Sequence, residues 1–252
     1  MKKLMVAVTV VAAAAELFAI QGSVSTPTET VSGDVKWHAR DKKYVIEKGK
    51  ITKEFPLDGI TDPNIPKPAG LDKAIQQVEA GQGASAIATL VKIVADYRML
   101  TWDKPAGRAL AQAYIAAGDA KKALDACQQI ISDDKAAAYT GDLAPAYWQA
   151  LLKLGKTEQL ETQLKKAAAS GDRVSAAAAL VMRGDIILAG TADQPETLRK
   201  ALTDGYMRVV LMYPDADCVR ERREATLKAA GCFDKLGQAA RAEKLRAQAK
   251  AM

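Results

Sequence analysis

The chain has 252 residues, of which 49% are apolar and only 5% aromatic, with 36 basic residues set against 30 acidic ones for a net charge of +6. Such a composition can bury a core, but its abundance of alanine over aromatics suits closely stacked helices better than one thick globule. The charges are mixed along the chain with no run of five or six of like sign, which excludes a basic arm for nucleic acid and leaves the surplus as solvated surface.

Residues 1–15 read as a secretory signal peptide. Lys2 and Lys3 precede an apolar run from Leu4 to Ala15, and Ala13 and Ala15 supply the small residues of a cleavage site. Cleavage after Ala19 is the alternative, with the bulkier Leu17 three residues back from the cut. The run of 12 residues is short of the ~20 that a spanning helix needs. The mature chain is therefore expected to have no integral span and to be exported, either periplasmic or secreted. The first cysteine is Cys127, so no cysteine near the cleavage site can carry a lipid, and the protein is not expected to be a lipoprotein.

Residues 20–33, rich in Ser and Thr with Pro27, read as a flexible tether. Residues 34–68 differ from everything downstream. Val35, Trp37 and Ala39, then Tyr44 and Ile46, then Ile51, Phe55 and Leu57 alternate with polar residues, and Asp41-Lys42-Lys43 and Lys48-Gly49-Lys50 look like turns between them. This predicts a small three-stranded antiparallel segment. The run from Asp62 to Pro68 carries Pro63, Pro66 and Pro68 and reads as an extended connector.

Residues 69–252 are helical in pattern, and the pattern repeats. Gly81, Gly118, Gly155, Gly190 and Gly237 fall where helices should turn back, at spacings of 37, 37, 35 and 47, a period typical of stacked helix pairs. Gly190 to Thr197 and Pro214 to Asp217 read as a longer turn and a longer exit in the fourth unit. The three cysteines, Cys127, Cys218 and Cys232, form neither a metal spacing nor a C-x-x-C and read as small buried side chains. Cys218 and Cys232 on one helix would lie about 21 Å apart, beyond the ~7 Å that a disulfide allows.

In this region the chain resembles the tetratricopeptide repeat (TPR) family. The second unit reads Leu110-Ala111-x-x-Tyr114, then Gly118-Asp119, then Ala123-x3-Cys127. The third reads Tyr147-Trp148-x-x-Leu151, Gly155 and Leu160-x3-Leu164, and the fifth reads Ala229-Ala230-x-x-Phe233, Gly237 and Ala242. In the first unit Ala86-x3-Leu90 follows Gly81, and in the fourth Leu202-x3-Tyr206 precedes the closing Pro214. The leading tryptophan of the family is missing from most units, and Ala136 to Ala138 lack the closing proline. The resemblance implies a mainly α fold: a right-handed α-solenoid of about five TPR-like helix hairpins, preceded by the small β segment. It implies a protein-binding groove on the first helices, with Arg108, Gln112 and Ile115 from the second unit and Gln149, Leu152 and Lys153 from the third. Arg108 and Lys153 would suit that groove to acidic partners. Strands followed by repeats behind a signal are similar to exported bacterial TPR proteins of the cell envelope, including accessory proteins of the Tol-Pal system. The role implied is a scaffold that binds a protein or peptide partner.

Catalytic signals are lacking. His38 is the single histidine, set in a predicted strand, and no nucleophile motif or H-E-x-x-H accompanies it. Gly81-Gln82-Gly83-Ala84-Ser85 follows a helix and lacks the G-K-[ST] ending of a phosphate loop. The pairs Asp133-Asp134 and Asp215-x-Asp217 lack the further ligands of a calcium loop and read as helix caps. Arg220, Glu221, Arg222, Arg223 and Glu224 read as a solvated helix face. No enzyme activity, cofactor, metal or nucleic-acid partner is expected. Two other roles remain open: a structural subunit that pairs through the β segment, and, more remotely, a carbohydrate-binding or enzymatic accessory module.

Overall fold

The computed structural model describes residues 20–60, 63–191 and 194–252. The segment read as a signal peptide lies outside the described residues, as do residues 61–62 and 192–193. The chain divides into two compact units, the second beginning at Lys67.

Among its described residues the first unit holds a sheet of four strands: β1 (Ile20–Ser25), β2 (Thr30–His38), β3 (Lys43–Lys48) and β4 (Ile51–Pro56). They form an antiparallel meander in chain order. This corrects both the expectation of three strands and that of a tether, because residues 20–33 hold all of β1 and the start of β2. One face carries the apolar positions. Val35 pairs with Ile46, and Trp37 with Tyr44, whose partner on β4 is Phe55. All five are buried, and the rings of Trp37 and Tyr44 lie 4.9 Å apart. The turn joining β1 to β2 is built from threonine: Thr26 Oγ1 accepts from the amides of Thr28 and Glu29, and the Thr26 amide donates to the Glu29 carbonyl. Asn64 continues the sheet past β1 through a two-bond bridge to Ser23. The next residue, Ile65, is buried in the space that a side chain at Gly22 would fill.

Among its described residues the second unit holds helices in five pairs: α1 (Leu71–Glu79) with α2 (Gly83–Asp96), α3 (Asp103–Ala116) with α4 (Ala120–Asp133), and α5 (Leu143–Lys153) with α6 (Thr157–Ala169). The fourth pair is α7 (Arg173–Thr191) with a kinked second arm, in which α8 (Pro195–Ala201) runs through a π turn (Leu202–Tyr206) into α9 (Met207–Met212). The fifth is α10 (Val219–Lys235) with α11 (Ala239–Lys250). Helix hairpins follow one another along the unit, with turns at four of the five glycines read as turn positions.

Four of those glycines end helices in one way. At Gly118, with φ of 80°, the glycine amide donates to the Ile115 carbonyl and the Asp119 amide to that of Tyr114, which satisfies two carbonyls that the helix end would otherwise leave bare. Gly81, Gly155 and Gly237 repeat the two bonds. Gly190 does not. It lies inside α7 without a positive φ, so the fourth turn begins after it.

Two apolar clusters hold the helices, and α7 belongs to both. The first runs from α1 to α7 around Leu90, Leu143, Trp148, Leu151 and Leu160, and takes in Ala178, Ala179 and Met182. The second takes in Ala177 and Val181 and continues through Leu198, Tyr206, Val209, Ala225 and Ala229. Trp148 is fully buried, and its indole N–H donates to the Ala138 carbonyl at 2.8 Å. Cys127, Cys218 and Cys232 are free and buried.

Candidate functional site: a charged cavity on the first helices

An amphipathic helix in a hairpin stack turns one stripe to its partner and leaves another for neighbouring hairpins or a ligand. The first helices of four successive pairs combine such stripes around one cavity of about 260 Å³. From α3 come Arg108 and Gln112, and from α5 Pro145, Ala146 and Gln149, with Asp142 at its N-terminal cap position. α7 contributes Ala178, Val181, Met182 and Asp185, and α10 contributes Arg220, Glu221 and Glu224. Second helices contribute no lining residue.

Three of the six residues expected in a groove therefore meet here: Arg108, Gln112 and Gln149. The other three do not. Ile115 and Leu152 pack against the first apolar cluster, and exposed Lys153 lies outside the cavity lining. Position explains the division. Arg108 and Pro145 stand ten residues before their turn glycines, Gly118 and Gly155, and Gln112 and Gln149 stand six before. Ile115 and Leu152 stand only three before, where the side chain has rotated toward the core.

The sequence reading missed the contributions of α7 and α10. The offsets that mark the lining on α3 and α5 do not reach them: counted back from Gly190 and Gly237 they fall on Leu180, Gly184, Leu227 and Gly231. The stretch Arg220–Glu224 is not a solvated face throughout: Glu221 is 3% exposed. Arg222 donates to the Pro214 carbonyl and Arg223 to that of Ala249. Among the aspartates read as caps, Asp134 accepts from the Ala136 amide, whereas Asp133 pairs with Arg98 and Asp215 with Arg173. His38 lies at the end of β2 opposite Lys43.

The cavity carries two charge networks. Arg220 donates through Nη1 to Asp142 Oδ1 at 2.8 Å and through Nε to Glu221 Oε1 at 2.8 Å. Arg108 Nη1 stands 3.9 Å from the same Asp142 oxygen. Burial works against the Arg220 charge, but Asp142 and Glu221 outweigh it and hold the guanidinium pKa above its usual value. In the second network Lys228 reaches Asp185 Oδ2 at 2.6 Å and Glu224 at 2.9 Å. There too burial opposes the charge, and the two carboxylates outweigh it to raise the lysine pKa. Tyr206 donates its hydroxyl to Asp185 Oδ1 at 2.7 Å, and burial, followed by the Asp185 charge, pushes the phenol well up. The π turn that carries Tyr206 sits against α7 through two glycines. A Cβ on Gly205 would come within 2.8 Å of the Gly184 backbone, and one on Gly184 would strike the Tyr206 ring.

Two polar atoms of the lining have no hydrogen-bond partner among the described residues: Glu221 Oε2 and Arg108 Nε. The other charged groups are ion-paired, with Asp142 and Glu221 sharing Arg220 and with Asp185 and Glu224 sharing Lys228. The cavity is thus a polar pocket with an unsatisfied acceptor and an unsatisfied donor, and its carboxylates outnumber its guanidiniums four to two. Among the described residues no group of three or more His, Cys, Asp or Glu is arranged to hold a metal ion, and no helix is long and apolar enough to cross a membrane.

No protein-family model matches the chain, and no curated protein matches it. Among solved structures it is similar to nearly identical TPR-like repeats from Podosopora anserina, named for a kinesin light chain, with a TM-score of 0.42 at 16% identity. A point variant of the same repeats gives a TM-score of 0.43 at 17% identity. Each alignment covers 73% of this chain and 92% of the other.

Proposed function

We propose that this protein is a non-catalytic interaction scaffold that holds a protein or peptide segment against the first helices of its repeat. The convergence of α3, α5, α7 and α10 on one polar cavity carries the reading. Hairpin stacks offer such shared surfaces because each unit contributes the same face. The interleaving of apolar Val181 and Met182 with amide and charged groups suits an extended chain, which needs backbone hydrogen bonds as well as side-chain pockets. The test is site-specific photo-crosslinking in the native host, with the probe at Gln149 and, as a control, at exposed Lys165 on α6. A discrete adduct from position 149 that is absent from 165 is expected. The same adducts from both positions would remove the basis for the reading.

We place the scaffold in a bacterial cell envelope, in the manner of the exported TPR proteins of the Tol-Pal type. The support is the basic start, short apolar run and small-residue site at the N-terminus. The mass of the mature protein checks this: it should begin at Glu16 or Ile20.

A second reading has one observation in its favour. β4 ends the sheet without a strand on its outer side among the described residues, and Ile51 on it is 63% exposed. Such an edge can accept a partner's strand, which would make the sheet unit the attachment point in a larger assembly. Crosslinks from position 51 in place of 149 would favour it.

A further inference from the structure

We infer that the cavity selects a basic side chain, a lysine or arginine of the bound segment, with Glu221 as its anchoring carboxylate. This rests on the binding reading above and narrows it to a chemistry.

The first observation is the state of Glu221. Glu221 is one of the lining residues; its side chain is 4% exposed and bonds to Arg220 through Oε1 only, while Oε2 is buried with no partner among the described residues. A buried carboxylate oxygen left unmatched is costly, so such atoms call for an occupant. An ionised carboxylate only accepts hydrogen bonds. The group that completes it must donate, and an ammonium or guanidinium does so most strongly.

The second observation is the charge balance. Asp142, Asp185, Glu221 and Glu224 face Arg108 and Arg220 in the lining, and Lys228 behind them joins Asp185 to Glu224. Four carboxylates against three cations leave one negative charge unmatched, so a cation entering the site restores neutrality where an anion would meet like charge.

The third observation is that a guanidinium already touches this carboxylate. Arg220 bonds to Asp142 and Glu221 with its side chain 49% exposed, whereas Glu221 beneath it is almost fully buried. Arg220 is the chain's own occupant of half the site, and its exposure leaves it free to swing away as a partner's side chain arrives.

The test uses capped alanine–glycine heptapeptides carrying Arg, Lys, Gln or Glu at the centre, titrated into the full-length mature protein and followed by NMR of the cavity residues. The Arg and Lys peptides should shift resonances of Gln112, Gln149 and Asp185, and the Glu peptide should not. Glu221→Gln keeps the size and the bond to Arg220 but loses the charge, and it should weaken the Arg peptide about tenfold or more. Arg220→Gln removes the internal guanidinium and should strengthen the Arg peptide, which a merely folding-defective variant would not do. Equal binding of all four peptides, or a preference for Glu, would overturn the cation preference while the binding reading stands. Shifts absent with every peptide would count against both.

Discussion

Arg220 and Asp142, 78 residues apart in sequence, are joined by a 2.8 Å hydrogen bond from Nη1 to Oδ1. The bond ties the first turn of α10 to the N-terminal cap position of α5, reaching past the intervening first helix, α7. The same guanidinium holds the buried Glu221. One half-exposed side chain thus links the third and fifth hairpins and is shared by two carboxylates of the cavity.

The two ends of that link should respond unequally to truncation. Asp142 is 47% exposed and Arg220 49%, so their pair is solvent-screened, and Asp142→Ala should cost less than ~1 kcal/mol. Arg220→Ala also strips Glu221 of its partner and should cost about 1.5–3 kcal/mol. Denaturant melts of the two variants and the double mutant measure this. Equal costs would mean that Glu221 gains little from Arg220. The Asp142 coupling should also fade between low and high salt.

Gly190 and Gly118 look alike in the repeat pattern and should behave oppositely. Gly118 has φ of 80°, and a Cβ there is strained whatever the free space, so Gly118→Ala should destabilise by ~1–2 kcal/mol. Gly190 is helical with open space around it, and Gly190→Ala should stabilise by up to ~1 kcal/mol. Melting temperatures moving in the same direction would refute the assignment of Gly190 to α7.

That contrast shows how far the sequence could be read. The helix pairs were legible because their apolar spacing and four of their turns are local. Gly190 misled because a glycine's φ is set by the chain around it, and the pattern records only its presence. β1 was hidden for a related reason. Gln21-Gly22-Ser23-Val24-Ser25 offers one buried apolar side chain, Val24, and the next position on the same face of the strand, Gly22, has no side chain, so that Ile65 from the connector fills it. Three of the thirteen lining residues, Arg108, Gln112 and Gln149, were legible from the first-helix faces of two units. The rest depends on bonds that cross 78 and 43 residues, and no local spacing announces that Glu221 is buried while its neighbours Arg220 and Arg223 reach solvent.

Two aromatic truncations that look equivalent in the repeat motif should differ. Tyr147 is 3% exposed, and its hydroxyl accepts from Gln159 at 2.7 Å. Tyr147→Ala should cost ~3–5 kcal/mol, as large core deletions do. Phe233 is half-buried, with the Arg241 guanidinium 5.8 Å from its ring, and Phe233→Ala should cost about half as much. Urea unfolding of both variants measures the difference, and equal midpoints would place Phe233 deeper in the core than its exposure indicates.

Burial pushes the Cys127 thiol up to about 12 from an ordinary value near 9. The folded state therefore keeps a proton that the unfolded chain releases over that range. Stability is unaffected below pH 9 and falls as pH rises toward 12, at ~1.4 kcal/mol per pH unit for this group. Burial raises the Cys218 and Cys232 thiols as well. Unfolding curves between pH 9 and 11 should show a shallower alkaline loss in Cys127→Ala than in the parent. Native protein should also react slowly with a thiol reagent at pH 8 and release three thiols once denatured. Fast reaction in the folded state would place at least one cysteine at the surface.

Gln149 and Lys153 sit four residues apart on α5, and the sequence reading assigned both to the groove. The structure separates them: Gln149 lines the cavity, while Lys153 is exposed outside it. Gln149→Trp should fill much of the cavity's roughly 260 Å³. Its side chain is half-buried and opens toward that space, so the ring can be accommodated at a stability change of less than ~1–3 kcal/mol, the range for overpacking a closed core. Affinity for the arginine-centred heptapeptide should fall by about tenfold or more, since the ring occupies the volume the peptide side chain needs. Lys153→Glu reverses a solvated charge outside the lining and should change the melting temperature little and that affinity far less than Gln149→Trp does, because solvent and salt weaken exposed charges. A titration and a melting curve for each variant decide the matter. If Lys153→Glu alters binding as strongly as Gln149→Trp, the bound segment extends along α5 to its C-terminal end, and the binding surface is an open groove in place of a single cavity.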